Sequence, residues 1–310
     1  MMAVRPLSKE LQAKAIAELN ENPERIPEDI EYIKEWLRKQ PHLNARMDDQ
    51  LILSYLRGCK FSLEKTKTKL DALYTLKGLL PEFFSNRDPF RKEIQGILKL
   101  GLNLPLPKTT APDAPRIMLQ RTLRDPSLYK IEDVATVSLM ISEIMVLEDD
   151  QYIVGGLVLF NDLTNASIGL MSLMTPSLAK KSMTFYEEAY PVRPKEMHFF
   201  NIPSFFDTLM NIIKPFMKEK MQRRMRFHHT NRIEQMYEYF PKSILPAEYG
   251  GDAGPIQDLI DYWKKKVEDY APWFKEDYKY VSNESRRIGK PKTATDLFGM
   301  EGSFRKLNVD

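Results

Sequence analysis

The first hundred residues repeat one pattern, in which apolar positions at helical spacing are separated by prolines. Ser8 can cap a helix over residues 9–19, and Pro27 suits the first turn of a second helix. The carboxylate of Asp48 suits the positive end of a third helix, which Gly58 is expected to end. The inward positions of the second, third and fourth helices are predicted to be Ile30, Ile33, Leu37, Leu51, Ile52, Tyr55, Leu56, Leu63, Leu70, Leu73 and Leu80. These spacings predict a small helical bundle.

A different pattern follows a proline-rich stretch at residues 104–115, which we interpret as a linker or domain boundary. Short apolar runs that predict strands then alternate with helical patterns. The predicted strands cover residues 116–120, 153–160, 196–201 and 225–228, and the predicted helices cover residues 131–147 and 176–190. This alternation favours a mostly parallel sheet, and strands that are apolar throughout indicate that both faces are covered. The second part is therefore predicted to be α/β.

Residues 201–225 combine an apolar helix face with a basic segment. The apolar positions that share one side of this helix are Phe205, Phe206, Leu209, Ile212, Ile213 and Phe216. Pro215 is expected to kink or end the helix because it has no amide hydrogen. Lys220, Arg223 and Arg224 follow at spacings that place them on one face of the next turns. On pattern alone, a core helix followed by a solvated charged helix explains this segment.

Composition and charge narrow the class of protein. With 310 residues, 43% of them hydrophobic and 29% charged, the chain is predicted to form one large globular domain or two smaller ones. Its 46 Lys and Arg against 43 Asp and Glu leave a net charge of +3, too small by itself to indicate a nucleic-acid binder. Cys59 is the only cysteine, and the N-terminal sequence has no apolar core of a signal peptide. We therefore expect a soluble cytosolic protein.

The sequence contains no motif of a nucleotide-binding loop, a nucleophile elbow or a histidine-based zinc site. Gly155 and Gly156 lie inside a predicted strand, where they are expected to permit close approach of a backbone or ligand. His228 and His229 alternate across a predicted strand and would point to opposite faces, which disfavours a metal site or a catalytic dyad. We predict no catalytic residue, no metal ligand and no cofactor.

Three segments together resemble the CRAL-TRIO (Sec14-like) family of lipid-binding proteins. These are residues 48–61 (DDQLILSYLRGCKF), residues 134–162, and residues 190–251 with YPVR at the start, IKPF in the middle and ILPAEYGG at the end. The resemblance covers roughly residues 25–255 and points to the tocopherol-transfer and retinaldehyde-binding branch, with its insect members. It implies an N-terminal helical domain over residues 1–103, a lipid-binding α/β domain over residues 104–255, and a C-terminal helix and extended tail over residues 256–310.

The resemblance implies that residues 202–220 form a mobile lid, which closes over a ligand and, when open, inserts into a bilayer. It also implies four basic positions that bind a phosphoinositide headgroup, and the matching residues are Arg193, Lys195, Lys220 and Arg224. The order within the first pair is exchanged. Because Arg and Lys bind phosphate with different geometry, the preferred headgroup stays open. Ordinary surface charge is the alternative explanation of these four residues.

By the same resemblance, a pocket lies between the sheet, two helices and the lid. Its expected lining is Ser138, Ser142, Leu157, Asn161, Ser182, Phe185, Tyr186, Ile202, Phe205 and Leu209. Asn161, Phe185 and Tyr186 replace aliphatic or smaller groups of the tocopherol pattern, so a retinoid, a sterol-like molecule, a fatty acid or another prenol lipid fits as well as a tocopherol. An apolar pocket with a few polar groups suits a ligand with one polar end.

The function implied is that of an intracellular carrier, not an enzyme. It would bind one small hydrophobic ligand, such as a retinoid or a tocopherol, and exchange it at phosphoinositide-containing membranes as a peripheral cytoplasmic protein, without a nucleic-acid partner. A phosphoinositide-sensing adaptor with a structurally filled pocket is the second hypothesis. An enzyme acting on a lipid is the third, and it lacks an identifiable nucleophile, base or set of metal ligands.

Overall fold

A computed structural model describes residues 4–169, 173, 175–228 and 233–299. Its N-terminal part consists of the helices α1 (Lys9–Leu19), α2 (Ile26–Arg38), α3 (Asp49–Gly58), α4 (Leu63–Leu79), α5 (Pro81–Phe84) and α6 (Lys92–Leu100). The two predicted N-terminal caps are confirmed, because Ser8 Oγ accepts from the Leu11 amide at 3.2 Å and Asp48 Oδ1 accepts from the Leu51 amide at 2.9 Å. The predicted helical part is therefore present.

The second part is built on a mostly parallel sheet, as predicted. Within the described ranges its strands, in spatial order, are β1 (Asn103–Pro105), β2 (Arg116–Arg121), β3 (Leu157–Asp162), β4 (Pro194–Phe200) and β5 (Met225–Phe227). β1 runs antiparallel to β2, and the other three pairings are parallel. The helices around the sheet are α7 (Ile131–Glu148), α8 (Asp150–Val154), α9 (Pro176–Thr184), α10 (Phe206–Ile213) and α11 (Glu219–Gln222).

One strand prediction and the linker prediction were wrong in their bounds. Ile153 is helical and the strand begins only at Leu157, because Asp149 Oδ1 accepts from the Tyr152 amide at 3.0 Å and starts α8 there. Pro105, predicted to lie in a linker, belongs to β1. A proline is tolerated in β1 because this strand lies at the edge of the sheet, where only one side needs to form the ladder.

Glycines at two places let backbone segments approach closely. Gly155 and Gly156 precede β3 instead of lying within a strand, but the predicted close approach is confirmed. A Cβ on Gly156 would lie 2.7 Å from the carbonyl oxygen of Arg193. A Cβ on Gly58, the last residue of α3, would lie 2.1 Å from the carbonyl oxygen of Pro191. Gly58 therefore allows α3 to pack against the segment that leads into β4.

The two faces of the sheet pack against different parts of the chain. One face, here called the lid-side face, carries alternate residues of β3 and β4: Leu157, Leu159, Asn161, Met197 and Phe199. Leu159, Met197 and Phe199 pack together with residues of α10, whereas Leu157 is buried in the main core. On the opposite face, the Phe160 ring stacks on the Phe240 ring with 4.8 Å between the ring centroids. Both of these rings belong to the main hydrophobic core, which extends into the N-terminal helices.

The C-terminal part consists of α12 (Ile256–Asp269), α13 (Ala271–Asp277) and α14 (Ala294–Phe298). The Asp277 carboxylate lies buried among three cations of the N-terminal part. It accepts from Arg46 at 2.8 Å, from Arg87 at 2.5 Å and from Lys77. These buried charged hydrogen bonds fix α13 on the helical part.

The predicted extended end of the chain, residues 298–310, is only partly described. Phe298 is not extended, because it ends α14 and is buried in the main core. The side chain and amide of Thr293 form a reciprocal cap with Asp296, which explains why a short helix forms there. Residues 300–310 lie outside the described residues.

Candidate functional site

α10 is a short helix that covers the lid-side face of the sheet. Phe206 and Met210 point inward and are each only 4% exposed. They belong to a hydrophobic cluster that is distinct from the main core, here called the lid cluster: Met197, Phe206, Met210, Met217 and Met225. The predicted end of the helix at Pro215 is confirmed, because a 3₁₀ turn over Lys214–Phe216 follows α10 directly. The buried side chains of α10 therefore pack against the lid-side face of the sheet and the segments next to it.

The chain enters α10 through a turn that side-chain hydrogen bonds hold. Asn201, which follows β4, has a left-handed backbone with φ of 55°. Its side-chain amide donates to Asp162 Oδ1 and to Thr164 Oγ1, both at 2.8 Å. Asp162 also accepts from the Tyr249 hydroxyl at 2.7 Å. The N-terminal end of α10 is thus anchored to the end of β3.

The chain leaves α10 through a second tether, made by charges. The Lys218 ammonium lies 2.5 Å from a carboxylate oxygen of Glu188 and 3.3 Å from one of Glu187. The Lys218 amide also donates to Glu187 at 3.0 Å. Both glutamates lie in a π-helical turn, Phe185–Ala189, that continues α9. Such turns occur often at functional sites, and this one interrupts the single helix that the sequence predicted over residues 176–190.

The structure describes the pocket residues predicted on the sheet and the lid. Leu157 and Asn161 belong to the lid-side face, and the Asn161 amide donates to the backbone carbonyl of His198 at 3.0 Å. Ile202 packs on the lid cluster. Phe205 and Leu209 are half-buried at the flank of α10, whereas the residues that turn fully inward are Phe206 and Met210.

The predicted hydroxyl groups meet between α7 and the π-helical turn. Ser138 lies near the Tyr186 phenol, and Ser142 and Tyr190 lie near the Tyr152 phenol. The Tyr190 hydroxyl is buried without a hydrogen-bond partner among the described residues. Burial raises the pKa of the Tyr186 phenol, while 37% of the residue is exposed. Ser138 and Tyr186 are therefore polar neighbours at the boundary between α7 and the π-helical turn.

Two further predicted residues lie near these hydroxyl groups. Phe185 is 2% exposed and belongs to the main core. The centroid of its ring lies 5.2 Å from that of Phe84 and 5.7 Å from that of Tyr190. Ser182 is half-buried on α9. The structure therefore brings Ser138 and Tyr186 together and places Phe185 behind them, against the N-terminal helices.

Three of the four predicted basic residues form a group, here called the basic cluster: Arg193, Lys195 and Arg224. Arg193 donates to the carbonyl oxygens of Ile153 at 3.1 Å and Val154 at 2.6 Å, at the end of α8. Arg224 donates to the carbonyl oxygen of Pro194. Burial lowers the pKa of Arg193, and the nearby Arg224 lowers it further. Like charges held this close favour a bound anion.

Lys220 lies on α11 and is exposed. The prediction that Lys220, Arg223 and Arg224 share a helix face was wrong, because α11 ends at Gln222. Arg223 instead pairs with Glu219, and Arg224 turns towards β4. Lys220 is therefore the most exposed of the four predicted basic residues.

Other kinds of site find little support in the described part of the chain. There, no three or more His, Cys, Asp or Glu side chains are grouped so that they could hold a metal ion. His198 hydrogen bonds with His228 at 3.0 Å and with Glu196 at 3.1 Å, and burial lowers its pKa. His229 lies outside the described residues. None of the described helices is both long enough and apolar enough to cross a membrane.

Comparison with known proteins agrees with this architecture. The CRAL/TRIO domain family matches residues 104–251, and a Pinta-like UBA domain matches residues 22–94. Alpha-tocopherol transfer protein-like from Homo sapiens is 31% identical over 252 residues, which cover 81% of this chain and 72% of that protein. Clavesin-2 from Homo sapiens is 29% identical over 265 residues, covering 85% of this chain and 80% of that protein. The chain belongs to the CRAL/TRIO family, as the sequence predicted.

Among solved structures, the crystal structure of Sfh5 covers 96% of this chain and 97% of its own, with 14% sequence identity and a TM-score of 0.49. The CRAL/TRIO family is one of lipid-binding proteins, whose members include carriers. The insect affiliation and the three domain boundaries stay predictions.

Sequence reasoning missed several residues of this site. Met197 and Met225 were counted only as strand residues, although methionines recur at the inner face of both strands and α10. Lys218 and its partner Glu188 carried no signal in the sequence, because their proximity depends on how α10 folds back over α9. The π-helical turn was missed for a similar reason, since no residue type marks it.

Proposed function

We propose that this protein is a carrier that binds one small hydrophobic molecule beneath α10, on the lid-side face of the sheet. The observation that carries the proposal is the separate lid cluster. Phe206 and Met210 close over an apolar sheet face as part of a buried cluster separate from the main core, and the half-buried Leu159 of β3 packs against both clusters. A helix attached in this way can open without unfolding the domain.

The ligand we infer has an apolar body and one polar end. Methionine and phenylalanine side chains form the lid cluster and its surroundings, and flexible methionines adapt to ligands of different shape. Ser138 and Tyr186 supply hydroxyl groups between α7 and the π-helical turn. A retinoid, a tocopherol or a similar lipid with a single hydroxyl, aldehyde or carboxylate matches this arrangement.

The membrane step of the proposal assigns a phosphoinositide headgroup to the basic cluster and Lys220. The protein would act as a cytoplasmic carrier that associates peripherally with membranes, and no group in it is assigned to catalysis. A phosphate bound at the cluster favours the open lid only if it binds that state more strongly. Lys220 supports this coupling, because it is exposed on α11 and is the last residue of the predicted lid, residues 202–220.

Transfer of fluorescent retinol from the loaded full-length protein to acceptor vesicles tests the proposal. Acceptors contain phosphatidylcholine with or without phosphatidylinositol 4,5-bisphosphate. The proposal predicts faster transfer to the phosphoinositide vesicles, and Lys220→Ala is expected to reduce this transfer about fivefold, since one basic residue near an anionic surface contributes about 1 kcal/mol.

The matched control is Lys99→Ala, which removes an exposed lysine from α6 and is expected to leave transfer unchanged. Retinol affinity in solution should stay the same in both variants. Transfer that ignores the phosphoinositide would contradict the membrane step. Vesicle binding without any retinol bound would favour the phosphoinositide-sensing adaptor.

A further inference from the structure

Helix α1 brings a carboxylate to the basic cluster. Glu18 Oε2 lies 3.4 Å from the Lys195 ammonium, and Glu18 Oε1 lies 3.6 Å from the Lys14 ammonium. Lys14 also lies 3.2 Å from Asp113. Neither Lys14 nor Glu18 was singled out by the sequence, because α1 precedes the residues that resemble the family. The structure therefore adds one cation and one anion to this cluster.

α1 is attached to the same helix end that holds Arg193. Its residues Leu11, Ala15 and Leu19 form a small hydrophobic cluster with Val154, separate from the main core. The Val154 carbonyl accepts the 2.6 Å hydrogen bond from Arg193. The position of α1 and the position of the Arg193 guanidinium are thus coupled through one residue of α8.

The surroundings of Glu18 are those of a bound anion. Burial would raise the pKa of Glu18, but Lys195, Lys14 and Arg193 together lower it below its ordinary value. The Nε of Arg193 is buried and has no hydrogen-bond partner among the described residues. A cleft of about 450 Å³ opens beside Lys14 and Lys195. The cluster therefore has both an unused donor and adjacent space.

We propose that the Glu18 carboxylate occupies the place of a phosphate in the basic cluster, so that α1 competes with an anionic headgroup. An arriving phosphate displaces Glu18 from Lys195, and Lys14 becomes a further cation of the site. This inference rests on the proposed phosphoinositide binding and adds a regulatory residue to it. Charge-assisted contacts to phosphate replace the contacts to the carboxylate one for one.

The test measures binding of the full chain to phosphatidylcholine vesicles that contain phosphatidylinositol 4,5-bisphosphate. Glu18→Gln keeps the shape of the side chain and removes its charge, and it is expected to tighten binding about fivefold. The same gain is expected for soluble inositol 1,4,5-trisphosphate, because the exchange is local. A gain confined to vesicles would assign the effect to repulsion from the bilayer and overturn the proposal.

Two variants separate local competition from general charge. Glu10→Gln removes an equal charge from an exposed position of the same helix and is expected to change binding little. In a Lys195→Gln background, Glu18→Gln is expected to lose its effect, because the two residues act as a pair. An equal gain from Glu10→Gln, or a gain that persists without Lys195, would overturn the inference.

The experiment also separates this inference from the proposed function. Phosphoinositide binding by the unmodified chain that Glu18→Gln does not strengthen overturns the role of Glu18 alone. Absence of phosphoinositide-dependent binding in both proteins overturns the membrane step as well.

Discussion

Removing the Phe206 ring should open the lid without unfolding the domain. Phe206 is only 4% exposed and packs within the lid cluster. Burial of a phenylalanine side chain contributes about 1.5–3 kcal/mol, so Phe206→Ala is expected to weaken lid closure by about 2 kcal/mol. Because 1.4 kcal/mol corresponds to a factor of ten, the open population should rise about 30-fold.

Hydrogen exchange measured by mass spectrometry reports this opening directly. In Phe206→Ala, the amides of residues 206–213 should exchange about 30-fold faster, while those of β3 and β4 keep their protection. The matched control is Phe240→Ala, which removes a buried ring from the opposite face of the sheet. It should cost about 3–5 kcal/mol of global stability and leave local exchange of the lid unchanged.

Faster exchange throughout the sheet in Phe206→Ala would refute the reasoning, since the lid would then unfold only together with the domain. Unchanged exchange at residues 206–213 would refute it equally, because the inward packing of Phe206 would not hold the lid closed.

Two further predictions concern contacts between the two halves of the chain. Burial alone would raise the pKa of Asp277, but Lys77 and Arg87 lower it to about 2 from an ordinary 3.8. This shift corresponds to about 2 kcal/mol of folding stability. That stability is fully present above the ordinary pKa and is lost as the pH falls through about 2. Asp277→Asn should therefore lower the free energy of unfolding by about 3–5 kcal/mol at neutral pH, because buried cations lose their partner. Urea unfolding measured between pH 2 and 7 should show that the stability of this variant falls less steeply with acid than that of the unmodified chain. A cost below about 1 kcal/mol would contradict this assignment. Gly58→Ala should lower the midpoint of thermal unfolding, because its Cβ would lie 2.1 Å from the Pro191 carbonyl oxygen, and an unchanged midpoint would contradict the close packing of α3 there.

The sequence predicted elements whose signals are local. Ser8 and Asp48 cap helices within three residues of themselves, and β2 and β4 each contain a short group of apolar residues, so these elements were found. The start of β3 was missed because Asp149 caps α8, which includes Ile153 and Val154. These residues are apolar, and an apolar run fits a helix as well as a strand. Local patterns therefore fix the type of an element better than its ends.

The site depended on contacts between distant residues, which spacing does not show. Arg193 and Arg224 lie together because they directly precede β4 and β5, which are neighbours in the sheet, and family resemblance supplied that pairing. Glu18 precedes Lys195 by 177 positions, and only the packing of α1 on α8 brings them together. Phe206 is buried and Phe205 is only half-buried because of how α10 is rotated on the sheet. Neighbouring apolar residues in the sequence do not determine this rotation.

The central claim is that a hydrophobic molecule is held beneath α10, and organic extraction of the natively purified protein followed by mass spectrometry tests it most directly. The account predicts one predominant lipid near one equivalent per chain, with an apolar body and a single polar end. Its yield should fall in Phe206→Ala, in which the lid is weakened. Extracts that contain no lipid, or a mixture in proportions that match the surrounding membrane, would contradict the claim.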